Sequence, residues 1–249
     1  MITYPNDTPT LSPSKADSFR STDRSDALSI EFALFQTSHK STRWLVFLGA
    51  AFLVSVPVFF QAPLVRHLPV VSLVGTIAWS WLSLYLAQRD RTRIWGELLT
   101  GFTWTWLAGS LYWGWLRTEP TWHLPIEAIA LPLALWGLKY RWCQIGVGFY
   151  LGSLLGTTVT DTYFYAVDLI PAWRQVMLAP EQAELIFRSS LMQMNSPTGW
   201  SWAIVLSLLL LGTGWMSLKR DQLPWIAFSG AVLSTLLVDG LFWIAARLA

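Results

Sequence analysis

Seven runs almost free of charge recur along this chain, at 44–60, 68–87, 94–115, 124–138, 142–159, 201–218 and 225–246. A helix needs about 20 apolar residues to cross the ~30 Å hydrocarbon core of a bilayer. Most of the runs approach or reach that length. A water-soluble domain does not repeat such runs, because nothing would cover their outer faces. The composition agrees: 53% of residues are hydrophobic and 13% charged, against about a quarter charged in an ordinary soluble domain. The runs predict an all-α fold, a polytopic transmembrane helical bundle of about seven spans. The 124–138 run is the shortest and carries Pro125 at its start. It either extends into Trp122 or meets a locally thinned bilayer.

The basic residues test this threading independently. With the start of the chain in the cytoplasm, twelve of the 17 Lys and Arg fall on the cytoplasmic side. They include Lys40, Arg43, Arg89, Arg91, Arg93, Lys139, Arg141, Lys219 and Arg220. The opposite side receives Arg66, Arg117, Arg174, Arg188 and Arg247. That alternation is the positive-inside bias. A re-entrant course at 124–138 would invert the last three spans and put Arg141 and Lys219 on the wrong side. The net charge of +2 is no footprint for nucleic acid.

Outside the runs, residues 1–40 form a polar tail with Pro5, Pro9, Pro13 and mixed charges, expected to be disordered. It lacks the apolar run of a secretory signal. Leu28, Phe32 and Phe35 allow a short interfacial helix within 27–35. Residues 41–249 then form a single transmembrane domain. Between the fifth and sixth runs, 179–194 sets Leu185, Ile186, Leu191 and Met192 among Glu181, Glu184 and Arg188. This pattern predicts an amphipathic helix on the non-cytoplasmic surface, or a docking element for a partner subunit.

Small residues predict where helices meet. Gly148, Gly152 and Gly156 recur every four residues in the fifth run, as do Gly101, Thr105 and Gly109 in the third. Such faces let backbones approach closely in lipid. The two are expected to pack on each other, or each on some other helix. Of the 17 Trp, Trp44, Trp95, Trp115, Trp122, Trp142, Trp200, Trp202, Trp215 and Trp225 sit near run ends, as an interfacial belt does. Trp79, Trp81, Trp104, Trp106 and Trp243 lie deeper. They suit packing between helices more than stacking on a pigment or quinone.

The reactive inventory is thin. A single cysteine, Cys143, excludes an intramolecular disulfide, an iron–sulfur cage and a cysteine-based zinc site. No metal site is predicted. His67 and His123 fall on one side and could be drawn as a pair, but neither is central to a span, which argues against a transmembrane bis-histidine haem. Phosphate-binding glycine loops, zinc-protease helices and serine nucleophile elbows are missing. Ionisable residues at membrane depth are costly, so Glu97, Glu127 and Asp239 are candidates. Glu97 and Glu127 also suit first-turn carboxylates. Asp239 sits well inside the seventh run, between Thr235 and Trp243. If the fifth helix continues past its run, Thr157, Asp161, Tyr165 and Asp168 share one face. That stripe could bind a cation, a partner's arginine or a polar headgroup, and Pro171 would end or bend the helix.

These residues also carry a resemblance. Trp95-Gly-Glu-Leu98, the Trp-rich third run, Thr160-Asp-Thr-Tyr-Phe164 and Leu237-Val-Asp-Gly-Leu-Phe-Trp243 resemble a family of cyanobacterial integral membrane proteins of unknown function. The resemblance covers most of the chain after the tail. It implies a thylakoid or plasma membrane of a photosynthetic cell, and it assigns no activity, cofactor or residue role.

The expected function is that of a non-catalytic accessory or assembly protein of a larger membrane complex, with membrane lipids and other membrane proteins as partners. One alternative is a small transporter or channel using Asp239 or Asp161. Another is a membrane-embedded enzyme for a lipid or isoprenoid substrate, with Asp161, Asp168, Tyr165 and either His123 or Glu127 in one pocket. Reporters fused to the two ends should report opposite compartments. Both in one compartment would reject an odd number of spans.

Overall fold

The computed structural model describes the backbone of residues 15–248 and side chains from Lys40 onward, apart from a few near the end of the last helix. The chain divides into two units, 1–42 and 43–249. Of the first, a helical backbone from Lys15 and the side chains of residues 40–42 are described. The expected disordered tail and the interfacial helix at 27–35 therefore lie largely outside the described residues.

Ten α-helices follow one another, with no strand among the described residues. They are α1 (Lys15–His67), α2 (Pro69–Ala87), α3 (Arg93–Leu111), α4 (His123–Glu127), α5 (Leu131–Tyr140), α6 (Gln144–Ala166), α7 (Ile170–Leu178), α8 (Ala183–Met194), α9 (Pro197–Leu218) and α10 (Leu223–Leu248). Four segments are long and apolar enough to cross a membrane: Lys40–His67 of α1, Pro69–Ala87, Pro197–Leu218 and Leu223–Ile244. This is the mark of a membrane protein. The exposure pattern agrees with it. Ile77, Trp81, Leu208 and Met216 stand out from the surface, while Ser72, Ser110 and Ser229 are fully buried.

Helices α3 and α6, from the third and fifth apolar runs, are different in kind. They form the inside of the bundle, and their Gly, Thr, Ser, Trp and Tyr residues dilute their hydropathy. Residues that meet helices need not be as apolar as residues that meet lipid. The main core joins Val46 and Ala50 of α1 to Leu98, Phe102 and Trp106 of α3, Phe149 of α6 and Ile226 of α10. The 124–138 run is broken: α4 and α5 are separated by a 3-10 turn at Ala128–Ala130. Prolines at 125 and 132, neither able to donate a backbone hydrogen bond, flank that turn. A left-handed residue, Arg141, ends α5, and another, Cys143, opens α6.

The small faces find separate partners. A Cβ on Gly101 would strike the backbone of Gly146, and one on Gly146 would strike the Glu97 carbonyl, so α3 and α6 cross almost backbone to backbone there. The stripe Gly148, Gly152 and Gly156 turns instead to α10, against Pro224, Phe228 and Thr235. Gly109 faces Gln61 of α1. Thr105 spends its hydroxyl on the Phe102 carbonyl of its own helix. The mutual packing of the two small faces is thus replaced by two contacts, because α6 is sandwiched between α3 and α10. Deep tryptophans pack as side chains between helices: Trp79 lies edge-on to Phe102 and Trp106, and Trp104 edge-on to Tyr150. Trp81 is the exception, being exposed.

Overpacking of a close crossing costs on the order of 1–3 kcal/mol or more. Gly101→Leu should therefore sharply lower the thermal unfolding midpoint in detergent. Gly212→Leu should leave it nearly unchanged, since a Cβ at Gly212 meets nothing within 4 Å.

Candidate functional site

The buried polar chemistry gathers where α3, α4, α6 and α7 come together. After α3 the chain widens into a π-helical turn, Tyr112–Leu116, and a 3-10 turn, Pro120–Trp122, leads into α4. This places Tyr112, Trp113 and His123 around one point. Helix α6 runs on to Ala166, past its apolar stretch, and brings Asp161 to the same point. Proline 171 does not end α6. It lies in the first turn of α7, where a missing N–H costs nothing, and α7 presents Trp173.

The Nδ1 of His123 lies 2.8 and 3.0 Å from the two carboxylate oxygens of Asp161. An ionised carboxylate only accepts, so with Asp161 charged the Nδ1–H donates and the tautomer is set. The Nε2 then points toward Glu127 Oε1, 3.9 Å away and one helical turn along α4. All three side chains are buried. The imidazole is boxed by aromatic rings: Tyr112 at 4.4 Å, Trp173 at 5.3 Å and Trp113 at 5.5 Å between centroids. Trp113 and Trp173 are parallel, 5.7 Å apart. The box is pinned by Trp173 Nε1 donating to the Arg117 carbonyl and by Tyr150 Oη donating to the Glu127 carbonyl. The Tyr112 hydroxyl is buried with no hydrogen-bond partner among the described residues.

The predicted polar stripe does not converge. Asp161 turns inward, Tyr165 is exposed, and Thr157 is half-buried. Asp168 lies beyond the end of α6, exposed and in the left-handed region (φ 56°), where it turns the chain toward α7. Aspartate tolerates that conformation better than most residues. Asp239 is tied separately: Thr160 Oγ1 donates to its Oδ2 at 2.9 Å. Neighbouring residues Thr160 and Asp161 thus serve different helices, α10 and α4. Glu97 accepts from Arg93 Nε and from the backbone N–H of Ile145, both at 3.2 Å. It caps the first turn of a neighbouring helix, α6, where its charge also complements the helix dipole. His67 is exposed at the end of α1 and is not part of the cluster. Among the described residues, no group of three or more His, Cys, Asp or Glu is placed to hold a metal ion.

Sequence reasoning named His123, Glu127 and Asp161 but not the aromatic box. Pro120 and Pro171 mark where short helical segments start, but nothing in the spacing of Tyr112, Trp113 and Trp173 tells that their rings meet.

Four helices long and apolar enough to cross a bilayer, in the bundle that holds this cluster, mark a helical membrane protein. Residues 50–247 match the family described as protein of unknown function (DUF3120), and the chain belongs to that family. No curated protein and no solved structure matches it.

Removing one partner of a buried hydrogen-bonded pair strands the other, at a cost of about 1–3 kcal/mol. Asp161→Ala and His123→Ala should each lower the unfolding midpoint. The double variant should lose less than the two single losses together, which a double-mutant cycle in detergent will read.

Proposed function

We infer that this protein is a multi-pass accessory or assembly component of a larger membrane complex and carries no catalysis of its own. On this reading α3, the α4–α5 pair and α6 also lie within the bilayer, making seven spans with the start of the chain in the cytoplasm. The alternation of basic loops supports that threading. The resemblance to cyanobacterial membrane proteins supports a thylakoid or plasma membrane. Helix α8 then lies on the non-cytoplasmic side, with Ile186 buried and Leu185 and Met192 exposed toward the interface or a partner.

One observation carries the accessory role. The carboxylates in and just past the apolar runs lie inside the chain: Glu97 accepts from the Ile145 N–H, Asp161 pairs with His123 Nδ1, Asp239 accepts from Thr160, and Glu127 is buried 3.9 Å from His123 Nε2. Groups spent on holding helices together are not spent on a substrate. Most of α1, α2 and α9, by contrast, is exposed among the described residues, with 17%, 11% and 22% of their most apolar windows buried.

A second reading, a small transporter moving protons, is favoured by the closeness of His123, Asp161 and Glu127. Three titratable groups in one buried site could pass a proton. Extraction in mild detergent followed by native mass spectrometry separates the two. The accessory reading expects a stoichiometric membrane-protein partner. A chain found alone, which drives proton flux in proteoliposomes and loses that flux in Asp161→Asn, would overturn it.

A further inference from the structure

We propose that the groove between α1, α2 and α3 at the Arg89–Arg93 turn binds one anionic lipid, its acyl chain in the groove and its headgroup on the arginines. The groove holds about 240 Å³. Its walls include Gly49, Phe52 and Leu53 of α1, Leu86 of α2, and Trp95 and Leu98 of α3. Every one of these is apolar or glycine. No hydrogen-bonding group is there to orient a polar ligand, whereas a flexible hydrocarbon chain needs none. Gly49 makes the groove what it is: a Cβ there would meet the Trp95 ring at 2.9 Å, so the missing side chain lets that indole lie against α1 as a wall.

The headgroup end follows from charge. Leu86 and Trp95 stand at the two ends of the α2–α3 turn, and the turn is held closed by Thr92 Oγ1 donating to the Leu86 carbonyl at 2.8 Å. That turn carries Arg89, Arg91 and Arg93 against one carboxylate, Asp90. Arg89 is stacked on the Tyr85 ring, 4.3 Å from its centroid, and Arg93 pairs with Glu97. Arg91 is exposed and makes no hydrogen bond or ion pair among the described residues. The turn beside the apolar groove thus carries three guanidiniums, and that of Arg91 has no partner among the described residues. Trp44 and Trp95, both exposed, mark the same level as the headgroup zone. An anionic lipid matches both halves at once. A neutral lipid matches only the groove, and a soluble anion only the turn.

The site rests on the membrane reading of α1–α3 but not on the accessory role. It is tested on the full chain in detergent micelles with phosphatidylglycerol carrying a photoactivatable acyl chain, and with phosphatidylcholine carrying the same chain. Labelled peptides should map to 49–53 and 95–99, with phosphatidylglycerol favoured. Arg91→Gln, at an exposed position that leaves the fold intact, should cut phosphatidylglycerol labelling about five-fold, the worth of one arginine near an anionic surface, and leave phosphatidylcholine labelling unchanged. Leu53→Trp should fill the groove and remove labelling by both. Equal labelling by the two lipids, or indifference to Arg91→Gln, overturns the proposal. So does displacement by an equal concentration of inorganic phosphate, which would assign the arginines to a soluble anion. Labelling confined to the outer faces of α9 overturns this site but leaves the membrane reading intact. No labelling of any helix fails both.

Discussion

The crossing of α3 and α6 at Gly101 and Gly146 sets the spacing of the rest of the bundle. Two backbones meet there with no side chain between them. In lipid there is no hydrophobic gain from bringing helices together, so association relies on close van der Waals contact and on polar groups that reach across. Both appear at this one place. Glu97, one turn from Gly101, reaches the Ile145 N–H, and the Cys143 thiol faces the Glu97 carbonyl. With α3 and α6 locked, α10 packs along the glycine stripe on another side of α6. Helices α1 and α2 close over α3 through Gln61, Ser72, Ser110 and the Trp106 indole, whose Nε1 donates to the Ser72 carbonyl.

The polar contacts within the bundle follow one rule. A buried polar group in a low-dielectric setting is costly unless it finds a partner in the chain, and most here do, the Tyr112 hydroxyl being an exception among the described residues. Ser229 donates to the Gly214 carbonyl, Thr160 to Asp239, and His123 meets Asp161. Each contact joins two different helices, from the consecutive pair α9–α10 to α6 and α10, which are far apart in sequence. The histidine–carboxylate cluster is the densest of them, and it ties the broken α4 to α6. Neither α4, at five residues, nor α7, at nine, is long enough to hold its place by regular packing alone. The shared aromatic box around His123 does that for both.

Much of this architecture was legible in the amino-acid order, and for physical reasons. Pro69 opens α2, and four apolar runs became four membrane-competent helices, whereas Pro171 starts α7 instead of ending α6. The glycine repeat lies along α10, a neighbour its spacing could not name, because periodicity describes one helix and partner choice depends on the whole bundle. The same limit applies to Asp161. Spacing put it on a face with Tyr165 and Asp168, yet α4 draws it inward while α6 ends before Asp168. Tyr112, Trp113 and Trp173 were invisible as a group because they converge through irregular turns, where no period exists to be read.

The join between α1 and α2 is a single residue, Leu68, whose amide donates to the Leu64 carbonyl while its own carbonyl accepts from Ser72. Consecutive Cα atoms are only about 3.8 Å apart, so the two helices cannot be separated by more than a step. A tag inserted at that bend would unpin the near ends of α1 and α2, and would disturb the fold rather than report on it.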